Sequence, residues 1–64
     1  MDTIKRSKEL AKEYGLTLYA LAQKCGINYS TLRSTEARSG QLSVDTIELI
    51  CKGIGIPLSR FFEQ

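Results

Sequence analysis

The chain has 64 residues, with nine Lys or Arg, seven Asp or Glu, no His, and a formal net charge of +2. A chain this short makes one domain, residues 1–64, that buries only about 60% of its unfolded surface, so it depends on efficient packing or on a partner. Two cysteines without histidine cannot furnish a four-ligand zinc site and are few for a disulfide framework, while the mild basic excess permits a nucleic-acid partner without demanding one.

The opening "MDTIKRSKEL" has no apolar stretch suited to a signal sequence, and no apolar run is long enough to span a membrane. A cytoplasmic protein is therefore expected. The first predicted helix runs from about Asp2 to Tyr14. Ile4, Leu10, Ala11 and Tyr14 recur at helical spacing, Asp2 or Thr3 can cap the start, and Gly15 stops it. Lys5, Arg6, Lys8 and Lys12 give it a basic exterior, expected to be mainly solvated. The second helix lies in "TLYALAQKCG", with Thr17 as cap, Leu21, Ala22 and Cys25 as a narrow apolar stripe, and Gly26 at its end. The third opens at Asn28 and runs to about Thr35 or Glu36. Only Gly26-Ile27-Asn28 joins the second to the third. Two short helices joined by so tight a turn form a helix-turn-helix unit.

In the fourth helix Ser43 can cap and Asp45 suits the positive end of the helix dipole. Ile47, Ile50, Cys51 and Ile54 form its inner stripe, and Gly55 stops it. The fifth lies in "PLSRFFEQ", with Pro57 preset for a first turn and Leu58, Phe61 and Phe62 as its apolar residues. The glycines thus fall where helices should stop. No segment alternates with period two, so no strand is expected. The fold class is all-α: a compact five-helix bundle sharing a core of Ile4, Leu10, Leu16, Leu21, Ala22, Ile27, Leu32, Leu42, Ile47, Ile50, Ile54, Ile56 and Phe61. Both cysteines sit among apolar neighbours and are expected as free thiols, Cys51 the more buried.

The third helix is unusually polar. At about 100° per residue, Leu32 and Thr35 fall on one side. Tyr29, Ser30, Arg33 and Ser34 spread over an arc of about 140° on the other, with no carboxylate among them. Such a face offers donors to phosphate oxygens and base edges, and the DNA major groove is wide enough to admit a helix. A solvated surface helix is the plainer alternative, but the second helix of a tight turn unit is where a reading helix stands.

The run "LTLYALAQKCGINYSTLRSTEARSG…LSVDTIELICKGIGIPLSRFF" resembles the helix-turn-helix domain of the Cro and lambdoid phage repressor type, the XRE family of bacterial regulators. The resemblance covers about Ile4 to Phe62 and rests on an ordered set of landmarks. These are Leu16-Thr17, Leu21-Ala22, Gly26-Ile27, Ser30-Thr31-Leu32, Glu36, Ser43, Asp45-Thr46, Ile50, Gly55 and the closing "PLSRFF". It implies a lambda repressor-like DNA-binding domain whose third helix enters the major groove. Tyr29, Ser30 and Ser34 match the family's base-contacting positions, with Thr31 and Arg33 flanking. Thr17, Leu18 and Tyr19, with Arg38, Ser39 and Gln41 in the loop after the third helix, match its phosphate-holding positions. Leu18 and Tyr29 stand where the family often has glutamine. Leu18 can offer phosphate only its backbone N–H, and Tyr29 cannot make glutamine's two-bond adenine contact. Thr35 replaces a larger apolar residue.

The implied function is sequence-specific double-stranded DNA binding by a repressor-like transcriptional regulator. The alternative is a protein-interaction module on the same fold, an antitoxin or antirepressor. With no histidine, no phosphate-binding glycine loop and no evident carboxylate pair, an enzyme is not expected, nor a metal or other cofactor. A homodimer is expected, at least on DNA. Leu58, Phe61 and Phe62 are its interface candidates, because consecutive phenylalanines diverge by about 100° on a helix.

Overall fold

Five α-helices follow one another: α1 (Thr3–Glu13), α2 (Leu18–Cys25), α3 (Tyr29–Ala37), α4 (Val44–Ile54) and α5 (Leu58–Phe61). They are seen in a computed structural model that describes residues 1–63. Gln64, the last residue of the fifth predicted segment, lies outside the described residues. Side chains cap the first four helices. The Asp2 carboxylate accepts from the Lys5 N–H at 3.0 Å, and Thr17 Oγ1 from the Ala20 N–H at 3.0 Å. Asn28 Oδ1 accepts from the Ser30 N–H at 3.0 Å, and Ser43 Oγ from the Thr46 N–H at 3.2 Å. Each such cap is worth about 0.5–2 kcal/mol.

Three helices stop by one device. Gly15, Gly26 and Gly55 take left-handed φ values of 72°, 72° and 75°. The next N–H then reaches back to a carbonyl of the last turn: Leu16 to Ala11 at 2.7 Å, Ile27 to Ala22 at 2.8 Å, Ile56 to Cys51 at 2.9 Å. The same turn folds Leu16, Ile27 and Ile56 onto the core. α3 ends likewise but without glycine in the left-handed place. Ser39 takes φ 54°, and the Gly40 N–H bonds the Thr35 carbonyl at 2.9 Å.

Not every glycine is a stop, contrary to the sequence expectation. Gly53 lies inside α4. A Cβ there would overlap Cys25 Sγ and come within 3.0 Å of Cys25 Cα, so α2 and α4 approach closely only because that side chain is missing. Two further corrections concern helix ends. Pro57 does not open the first turn of α5. Its ψ of 156° makes it the extended residue before the helix, which is a single turn. Tyr14 leaves the stripe of α1 as the chain turns out of the helix, and it is exposed.

Ile4, Leu10, Ala11, Leu21, Ala22, Cys25, Leu32, Leu42, Ile47, Ile50, Cys51 and Phe61 form the core. Leu16, Ile27, Ile54 and Ile56, expected inside, pack against it half-buried. The buried Ser7 hydroxyl is satisfied close to home, donating to the Thr3 carbonyl at 2.8 Å. Arg6 departs most from expectation. Its Nε donates to the Phe61 carbonyl at 2.6 Å and its Nη2 to the Arg60 carbonyl at 2.8 Å. It ties α1 to the end of α5, where a one-turn helix offers its last carbonyls few partners and the Arg60 carbonyl otherwise accepts from the Glu63 N–H at 3.3 Å.

Candidate nucleic-acid interface

α3 is held by few contacts. Leu32 is fully buried and Thr35 nearly so. Thr35 Oγ1 donates to the Thr31 carbonyl at 2.9 Å, which lets a hydroxyl occupy an apolar seat without an unsatisfied donor. Glu36 forms an ion pair with Lys8 of α1. The one carboxylate at the margin of the outward face is thereby turned toward another helix and does not engage Arg33.

The outward face carries Ser30, Thr31, Arg33 and Ser34, all exposed, with Tyr29 half-buried at its start. The structure thus brings together the five residues the sequence selected for base contact. Their states differ. Ser30 Oγ donates to Asn28 Oδ1 at 2.7 Å, so the cap of α3 also fixes Ser30 and leaves its oxygen outward as an acceptor. The Tyr29 ring meets Tyr19 of α2 edge-to-face, with centroids 5.1 Å apart at 83°. The Arg33 guanidinium carbon lies 5.9 Å from the Tyr29 ring centroid. Gln23 Nε2 donates to the Tyr19 hydroxyl at 2.7 Å. An aromatic pair therefore spans the two helices of the turn unit and steadies the arginine. Such a cation–π contact uses none of the guanidinium N–H groups as hydrogen-bond donors to oxygen, so they can serve a base or a phosphate.

The phosphate candidates lie at the start of α2 and in the loop after α3. The Leu18 side chain packs against the core. The Leu18 and Tyr19 N–H groups stand in the first turn, where a helix offers no carbonyl partner. The Thr17 hydroxyl accepts from Ala20 and keeps its own proton to give. Arg38 is exposed, with Nη2 3.4 Å from Thr35 Oγ1, next to the left-handed Ser39.

Gln41 has a second duty that sequence reasoning missed. Its Oε1 accepts from the Thr3 N–H at 2.9 Å and from Thr3 Oγ1 at 2.7 Å, while the Leu42 N–H donates to Thr3 Oγ1 at 2.8 Å. The loop after α3 is thus bracketed to the first residue of α1, and only the Gln41 amide NH2 remains for a ligand. No local pattern signals a contact between residues 38 positions apart.

Cys25 and Cys51 are free, buried thiols. Burial pushes the Cys25 thiol up, against a smaller lowering by Lys24 and with a small further rise from Cys51. Burial likewise raises Cys51, against a backbone hydrogen bond that lowers it and with Glu48 raising it further. Neither belongs to the outward face of α3. Among the described residues no helix is long and apolar enough to cross a membrane.

A sequence profile described as helix-turn-helix matches residues 8–61, from within α1 to the end of α5. No curated protein and no solved structure matches the chain. The match spans the turn unit, the polar α3 and the helices that seat it, and the chain belongs to the helix-turn-helix family of the Cro and lambda repressor type, whose members are DNA-binding regulators.

Proposed function

We propose that the protein is a sequence-specific regulator of transcription, repressor-like and cytoplasmic, that lays α3 in the major groove of double-stranded DNA. The observation that carries this reading is the outward face of α3. It offers an arginine, a tyrosine and three hydroxyl groups, and its neighbouring carboxylate is taken up by Lys8. Tyr29, Ser30, Thr31, Arg33 and Ser34 face the base edges. The first-turn N–H groups of Leu18 and Tyr19, the Thr17 and Ser39 hydroxyls, the Gln41 amide and Arg38 hold phosphates on either side. Contacts of the second kind position the helix, and contacts of the first kind choose the sequence.

One α3 covers few base pairs, so the active species is a homodimer reading two half-sites about 34 Å apart. Phe61 is fully buried inside the chain and has no surface to give a partner. Leu58 and Phe62 remain exposed and available.

The test is selection of bound sites from a random duplex library, followed by anisotropy titrations at two salt concentrations. Arg38→Ala should weaken binding to every sequence alike and lower the salt slope by about one unit. A folded protein that enriches no sequence and binds no duplex at low salt overturns the reading in favour of a protein-interaction module.

A further inference from the structure

The first turn of α3 is short of free donors. The Ser30 hydroxyl gives its proton to Asn28 Oδ1 at 2.7 Å. Tyr29, just before it, presents a half-buried ring that packs against the core. A chain of contacts across the turn holds that ring in place. Gln23 Nε2 donates to the Tyr19 hydroxyl at 2.7 Å, and Tyr19 meets Tyr29 edge-to-face with centroids 5.1 Å apart. Arg33, one turn along α3, lies 5.9 Å from the same ring. Among the described residues the ion pairs are Arg6–Glu9, Lys8–Glu36 and Arg60–Glu13, and Arg33 takes part in none of them.

We infer that Tyr29 and Arg33 together read one base step in the major groove: a pyrimidine that carries a 5-methyl group, next to a guanine. The inference rests on the DNA-binding reading above and names the chemistry its helix recognises. Tyr29 supplies the apolar half. Its hydroxyl cannot make the two-bond contact that singles out adenine, but its ring offers a fixed apolar surface. On the major-groove edges of the bases, the apolar feature is the methyl group at the 5 position of a pyrimidine. Thymine always carries it, and cytosine carries it only when methylated. A ring already held by Tyr19 and the core gains that contact with little further loss of rotamer freedom. Arg33 supplies the polar half, since its forked N–H groups match guanine O6 and N7. The two side chains touch, so their targets are neighbours. Successive bases along a strand are about 3.4 Å apart, a step that a ring and a guanidinium with centres 5.9 Å apart can span.

The test uses the duplex selected from the random library, and circular dichroism checks that each variant is folded. The selected half-site should hold thymine next to guanine. Replacing that thymine by uracil removes the methyl group alone, and should weaken binding about fourfold, the worth of one buried methyl group. Placing cytosine there, and then 5-methylcytosine, adds the methyl group alone and should strengthen binding by about the same factor. A response confined to the thymine pair makes thymine the ligand, and a response in both pairs makes the site a reader of cytosine methylation as well. Tyr29→Phe should keep the thymine-to-uracil ratio, whereas Tyr29→Ala should bring it close to one. Arg33→Ala should instead flatten the preference for the guanine, which in the native chain should be about tenfold or more. Equal binding of the thymine and uracil duplexes overturns the inference, and that measurement needs no variant. A ratio that survives in Tyr29→Ala, a ratio lost in Tyr29→Phe, or a selected site without thymine beside guanine also overturns it. In each of these cases DNA binding by α3 still stands. A chain that selects no site overturns both.

Discussion

Tyr29 and Arg33 show how one side chain sets what another can read. The ring of Tyr29 is fixed by Tyr19, and Arg33 lies over it. Fewer rotamers must then be frozen when the guanidinium meets DNA, which lowers the entropic cost of binding. Arg33→Ala should weaken binding to the selected site by about 1–3 kcal/mol and relax one position of it. Tyr29→Phe should keep most of the affinity and Tyr29→Ala should lose part of it, as measured by anisotropy on the same duplex. If Tyr29→Ala binds like the native chain, the stack does not position Arg33. Ser39 poses a different residue-scale question, because it occupies a conformation that suits glycine. Ser39→Gly should raise stability to thermal unfolding by about 1 kcal/mol. If the hydroxyl also holds phosphate, the same variant should bind DNA less tightly, so stability and affinity move in opposite directions.

At the scale of the element, α5 is the instructive case. Four residues cannot be a stable helix alone. It is kept by the burial of Phe61 and by Arg6, whose guanidinium satisfies the Phe61 and Arg60 carbonyls. Hydrogen bonds from a charged donor contribute about 1.5–3 kcal/mol each when partly buried. Arg6→Ala should therefore destabilise the fold by about 2 kcal/mol or more in urea unfolding. Arg6→Lys should recover little, since one ammonium cannot reproduce a two-bond fork. Lys5→Ala, on the exposed side of the same helix, should cost almost nothing. Equal losses at the two positions would refute the tie between α1 and α5.

For the whole molecule, the buried thiols link stability to pH. Burial raises both above the ordinary thiol value of about 8.5. The folded chain then holds these protons more tightly than the unfolded chain does. Their contribution is complete below that ordinary value and is lost as pH rises through the raised folded values. Unfolding free energy should fall with pH in the alkaline range above about 8.5, and less steeply in a Cys25→Ala/Cys51→Ala chain. Chemical denaturation at a series of pH values measures both slopes. With exposures of only 7% and 4%, Cys25 and Cys51 should both react slowly with thiol reagents until the chain opens.

Helix number, helix order and most helix ends were legible in the sequence, because they follow from local chemistry. A cap such as Thr17 or Ser43 bonds an N–H three residues on, and a left-handed glycine needs only its own backbone. The inner stripes were legible for the same reason, since burial at 3.6-residue spacing needs no knowledge of the partner. The five residues on the outward face of α3 followed from that periodicity together with the family landmarks. What only the tertiary structure decided are the contacts between residues distant in the chain. Arg6 looks like one of four solvated cations until α5 brings two carbonyls to it. Gln41 looks like a loop residue until Thr3 arrives, and Gly53 looks like a stop until Cys25 packs against it. The same holds for Tyr19 and Tyr29, whose aromatic pair forms across the turn between two helices, whereas Arg33 meets Tyr29 one turn along α3. Local bonds are encoded within one turn of chain, whereas these pairings exist only after the helices have closed on a shared core.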